Sequence, residues 1–106
     1  MSHCALPVQG EIINDHRSDW PLIELTLYGS RNETAKLAKR VNCALRTLPL
    51  RARLHYVRDP LAWAEAGIGR LPALAAPGWR HEGWLSTEEI ARALAALTDG
   101  KEGEGA

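Results

Sequence analysis

A β-prone run that breaks at a glycine and passes straight into a helix-capping signature constrains this chain more than any other feature. Leu22-Ile23-Glu24-Leu25-Thr26-Leu27-Tyr28 is apolar and β-favouring, stops at Gly29, and reads as a strand. Ser30-Arg31-Asn32-Glu33 follows at once. That spacing is a capping box: the hydroxyl accepts an otherwise orphaned N–H, and the carboxylate three residues on returns to the cap's own N–H. The helix it opens is expected to run to about Leu48, since the residue before Pro49 is pushed out of helical geometry. Projected on a helix, Leu37, Ala38, Val41, Ala44, Leu45 and Leu48 share one side. Lys36, Lys39, Arg40, Cys43 and Arg46 share the other. A strand therefore feeds an amphipathic helix that lies on a sheet.

The same logic extends downstream. Arg51 to Val57 alternates as a second strand, and Asp59-Pro60 is an N-cap followed by proline at the first helical position, where no N–H is lost. The short helix from Leu61 to Ala66 should end at Gly67. Ala73 to Ala76 and Trp79 to Glu82 read as a hairpin about the Pro77-Gly78 turn. Ser86-Thr87-Glu88-Glu89 is a second capping box, opening a helix through about Leu97 with Ile90, Ala93, Leu94 and Leu97 inward. Residues 1–20 show no clear period and are expected to be an arm or an extra edge strand carried by Val8, Ile12 and Ile13. Residues 98–106 are polar and glycine-rich and are expected to stay unordered. The order β-α-β-α-β-β-α over residues 21–97 predicts an α/β domain with a four-stranded mixed sheet and three helices, in which the parallel crossover is right-handed.

Length and charge narrow the function classes. A chain of 106 residues makes one domain. No apolar run is long enough to span a bilayer, and the first residues lack the basic-then-apolar pattern of a signal peptide, so a cytoplasmic protein without a membrane role is expected. Two cysteines cannot build a four-thiolate metal site from one chain. The formal net charge is +0, yet it is unevenly spread. Residues 31–58 carry eight cations against Glu33 alone, between two acidic flanks. Such a distribution means either internal pairing or one basic face. The basic helix face lacks interleaved aromatics, which argues against nucleic acid as a ligand.

Three ordered segments give the chain a family likeness. Leu25-Thr26-Leu27-Tyr28-Gly29-Ser30 enters a helix where small thioredoxin-family proteins place Cys-x-x-Cys. Gly67-Ile68-Gly69-Arg70-Leu71-Pro72-Ala73-Leu74 resembles the family's "Gly-Val-x-x-x-Pro-Ala-Leu" segment, and Gly83-Trp84-Leu85-Ser86-Thr87-Glu88-Glu89-Ile90 is similar to its closing "Gly-x-x-Ser-x-Glu-Glu-Ile". The resemblance implies a thioredoxin-like fold and a cis-proline at Pro72 facing the redox position. It also places Arg31 and Thr34 where the two cysteines would stand. Neither side chain can supply the thiolate that disulfide exchange needs, so ordinary dithiol activity is not expected. The expectation is a redox-inactive thioredoxin-like domain serving as a protein-binding or structural module, with Ser30, Arg31, Leu71 and Pro72 as its binding surface. The start of the helix is read first as a well-capped end and second as an anion site of N–H groups and the Arg31 guanidinium.

The alternative is a single-cysteine redox protein acting through Cys43 or Cys4. Lys39, Arg40 and Arg46 favour a thiolate at Cys43, whereas the carboxyl half of a helix opposes one. Whether the two cysteines pair is left open. His3, His16, His55 and His81 show no ligand spacing, and no cofactor or metal is expected. Ser30, Ser86 and the carboxylates form no nucleophile–base set, so no catalytic residue other than Cys43 is nominated. Trp79 and Trp84 bracket the last strand, which points to a surface aromatic and to a homodimer as one form of partnership.

Overall fold

The computed structural model describes residues 5–105, with side chains described through Thr98. Among these residues the order is β1 (Ile12–Ile13), β2 (Leu22–Tyr28), α1 (Arg31–Leu45), β3 (Arg51–Val57), α2 (Pro60–Glu65), β4 (Ala73–Ala76), β5 (Trp79–Glu82) and α3 (Thr87–Gly105). The strands form one mixed sheet in the order β1-β3-β2-β4-β5. β2 and β3 are parallel, with Leu22 opposite Arg51 and Tyr28 opposite Val57, and the other three pairings are antiparallel.

The sheet has five strands where four were expected, and the addition is short. β1 pairs with the free edge of β3, placing Ile12 opposite Arg53 and burying Ile13. Asn14 then turns the chain at φ +65°, a left-handed geometry that asparagine tolerates. Its side-chain amide donates to the carbonyls of Leu45 and Leu50, both at 2.9 Å. The segment before β2 is thus tied to the end of α1 and the start of β3.

Two helix ends differ from expectation. α1 stops at Leu45, and the next three N–H groups bond three residues back: Arg46 to Cys43, Thr47 to Ala44 and Leu48 to Leu45. The final turn tightens to a 3₁₀ form because Pro49 forbids α geometry at residue 48. α3 continues through Gly105 instead of stopping near Leu97, so residues 98–105 are helical rather than unordered. Once Ile90 and Leu94 anchor the inner face, propagation gains one hydrogen bond per added residue, against a cost of about 1 kcal/mol at each of Gly100, Gly103 and Gly105. Ala106 lies outside the described residues.

α1 and α3 pack on one face of the sheet, where Leu25 and Leu27 of β2, Leu54 of β3, Leu37 and Val41 of α1, and Leu94 of α3 are fully buried. α2 buries none of its six residues. No described helix is long and apolar enough to cross a membrane.

Candidate functional site

The pairing register brings four strand ends to one rim of the sheet. Tyr28 closes β2 opposite both Val57 of β3 and Ala73 of β4, and Ala73 lies opposite Glu82 of β5. The links leaving the parallel strands therefore emerge side by side, at the carboxyl ends where open α/β sheets commonly place ligands.

Gly29 makes the first link. Its φ is +154°, and a Cβ there would stand 3.1 Å from both Cβ and Oε1 of Glu33 and 3.5 Å from Cβ of Pro72. Its N–H donates to the Val57 carbonyl at 3.2 Å. The capping box forms as the sequence requires: Glu33 N–H donates to Ser30 Oγ at 3.2 Å, and Ser30 N–H donates to Glu33 Oε1 at 2.9 Å. The capped-end reading of this segment holds. A carboxylate already occupies the positive end of the helix dipole, so the helix terminus has no need of a bound anion.

Thr34, at one of the positions the likeness assigned to cysteine, is fully buried. Its hydroxyl hydrogen faces the Ser30 carbonyl at 2.9 Å and the Arg31 carbonyl at 3.2 Å, and its oxygen accepts from Arg58 Nε at 3.0 Å. The Arg58 guanidinium also lies 4.7 Å from the centre of the Tyr56 ring, a cation–π distance. Burial pushes the Tyr56 phenol up, and its hydroxyl donates to the Pro7 carbonyl. Arg31 is exposed and has no ion-pair partner among the described residues.

On the far side of β2, the Leu71–Pro72 peptide is cis. Pro72 is fully buried and its carbonyl accepts the Gly83 N–H at 2.7 Å, while Leu71 is half-buried. Pro72 thus supports the rim from beneath rather than offering surface of its own. The Arg70 guanidinium lies over Gly83, 3.6 Å from where a Cβ would stand. The rim carboxylates are already engaged: Asp59 accepts from Leu61 N–H at 3.1 Å, and Glu82 from Gly69 N–H at 3.2 Å.

The structure therefore gathers Ser30, Arg31, Thr34, Leu71 and Pro72 around Gly29, with only Ser30, Arg31 and part of Leu71 reaching solvent. Sequence reasoning missed Arg58. Its signal was present in principle, because the residue after the second of two parallel strands stands beside the residue after the first.

Cys43 sits half-buried on α1 and is disulfide-bonded; Cys4 lies outside the described residues. In this form Cys43 presents no thiolate, and the bond must be reduced before the single-cysteine alternative can act through it. His3 also lies outside the described residues. Elsewhere His55 Nε2 meets Glu24 Oε1 at 2.6 Å, and among the described residues no group of three or more His, Cys, Asp or Glu is placed to hold a metal ion.

The basic middle of the chain resolves both ways. Arg53 pairs with Glu24 at 3.1 Å and Arg51 with Asp15 at 3.7 Å, whereas Lys36, Lys39 and Arg46 on α1 form no ion pair among the described residues. Trp84 is 45% exposed, with the Arg40 guanidinium 5.0 Å from its ring centre. Two hollows, of about 60 and 190 Å³, lie away from the rim beside Leu50 and Leu22. Both fall short of the roughly 300 Å³ at which small-molecule pockets begin.

No family model, curated protein or solved structure matches the chain.

Proposed function

We propose that this chain is a thioredoxin-like domain without dithiol chemistry that works as a protein-binding module, taking its partner at the rim of Ser30, Arg31 and Leu71. The observation that carries the reading is the 3.5 Å approach of Pro72 to the Cβ position of Gly29, which sets the Leu71–Pro72 segment against the start of α1. A guanidinium and a buried hydroxyl stand there in place of sulfur. The strand order β3-β2-β4-β5, with α1 and α3 on one face, supports the family likeness. The exposed Arg31, lacking an ion-pair partner among the described residues, suits a partner segment that presents a carboxylate.

Two measurements test this. In a disulfide-reduction assay the native chain should give no turnover, and the double variant Arg31→Cys/Thr34→Cys should gain it if these are the degenerate redox positions. Turnover by the native chain, or none by the refolded double variant, would remove the correspondence. For binding, a protein captured by the native chain from an extract of its own cells should be lost with Arg31→Glu and with Leu71→Asp, and kept with Arg46→Glu. Equal recovery by all three would place the binding surface elsewhere.

A further inference from the structure

The face of the sheet opposite α1 and α3 is open in the middle of its two parallel strands, between Arg51 at one end, whose Nε donates to the Trp20 carbonyl and whose side chain is 19% exposed, and α2 at the other, where Trp63 Nε1 donates to the Val57 carbonyl. Leu22, Glu24 and Thr26 of β2 and Arg51, Arg53 and His55 of β3 point to this side by strand alternation, and the register sets Glu24 opposite Arg53 and Thr26 opposite His55. Leu22 is 38% exposed, and the side chains of Glu24, Arg53 and His55 are 43%, 38% and 36% exposed. Parallel strand pairs are normally covered on both faces. β2 is moreover the central strand here, and α2, which leaves the end of β3, buries none of its residues.

We infer that a second copy of this chain covers this face, across a two-fold axis running between β2 and β3 and parallel to them. The sign pattern selects this occupant. Rows of one charge would select a partner of the other charge, but here an acid on β2 sits level with a base on β3. The two-fold operation exchanges the strands, so each Glu24 faces the second copy's Arg53 and each Thr26 its His55. Such isologous self-complementarity needs no second species. Glu24 accepts Arg53 at Oε2 and meets His55 at Oε1, and a carboxylate has about four lone-pair sites, so each oxygen can take one more donor. The charges set the register, and burial of Leu22 and the aliphatic stems of the arginines supplies the attraction.

Sedimentation with the full chain tests this. The native protein should approach twice the 11.7 kDa of one chain as concentration rises. Glu24→Arg and Arg53→Glu, each confirmed as folded by circular dichroism, should each raise the dimer dissociation constant by roughly 30-fold or more. Mixed in equal amounts, they should re-form a dimer, because each then presents the sign the other lacks. A pair acting only within one chain could not be rescued by mixing. Should either variant fail to fold, Leu22→Lys serves instead and should also leave a monomer. The inference fails if the native chain stays monomeric to about 1 mM. It fails equally if its dimer survives these substitutions, or if the face is instead occupied by a different co-purifying protein.

Discussion

Leu25 and Glu24 are neighbours in the middle strand of one sheet, yet one is fully buried and the other keeps 43% of its side chain in water. The difference runs along both parallel strands. On the helix side Leu25, Leu27, Ala52 and Leu54 interlock with α1 and α3. On the other side Glu24, Arg53 and His55 satisfy one another across the strands. Leu25 and Leu27 of β2 build the core, whereas Leu22 and Glu24 keep contact with water. Burial on one side therefore says little about tolerance to change on the other.

The contrast is broken most directly by substituting the two neighbours in turn. Leu25→Ala removes a fully buried side chain between two helices and should cost about 2–5 kcal/mol. Glu24→Ala loses two partly solvated contacts, with Arg53 and with His55, and should cost about 1 kcal/mol or less in a dilute monomeric sample. Urea unfolding measures both. Comparable losses would mean that the polar cluster, not the helix-side core, holds the parallel pair together.

Gly29 lies at the rim, where the covered face ends. Gly29→Ala puts a methyl group 3.1 Å from Cβ and Oε1 of Glu33, so the capping side chain must shift by a few tenths of an ångström, and φ +154° is itself a strained geometry for alanine. A loss of about 1–3 kcal/mol is expected. A neutral result would show that the capping carboxylate is dispensable and that the rim is looser than its geometry implies.

How much of this could be read from residues alone follows from the range of each interaction. β2, β3, β4 and β5 appear at the boundaries that their alternation, glycines and turn residues announce, since those signals are local. So does the Ser30–Glu33 capping box. What escaped are contacts between distant segments. Asn14 reaches Leu45 and Leu50 across 31 and 36 residues, an anchor that residues 1–20 alone do not announce, so that the pattern of Ile12–Ile13 leaves an arm and an edge strand both open. Arg58 reaches Thr34 only because β2 and β3 are parallel and in register. The partial openness of one face was also hidden, because α2 was recognisable as a helix but not as one that buries none of its own residues.

The smallest expected effect concerns the layer that covers the closed face. Ser86 N–H donates to Glu89 Oε1 at 2.8 Å and Glu89 N–H to Ser86 Oγ at 3.1 Å, which starts α3. The bond from the Ser86 backbone, then the one with its side chain, lowers the Glu89 carboxyl below its ordinary 4.5. The folded state thus binds this proton less readily than the unfolded chain does. Its contribution is complete above about pH 4.5 and fades as the pH falls through the lower folded value. Acid should therefore fray the first turn of α3 while leaving the cluster of Glu24, Arg53 and His55 no better covered. The protection of the Glu88, Glu89 and Ile90 amides, taken as exchange rate relative to the unprotected rate at the same pH, should fall below that pH in the native chain. Ser86→Ala should exchange faster already at neutral pH and respond less to acid. An acid response of equal size in that variant would trace the loss to other carboxylates, and the capping box would then matter less to the covered face than its two bonds suggest.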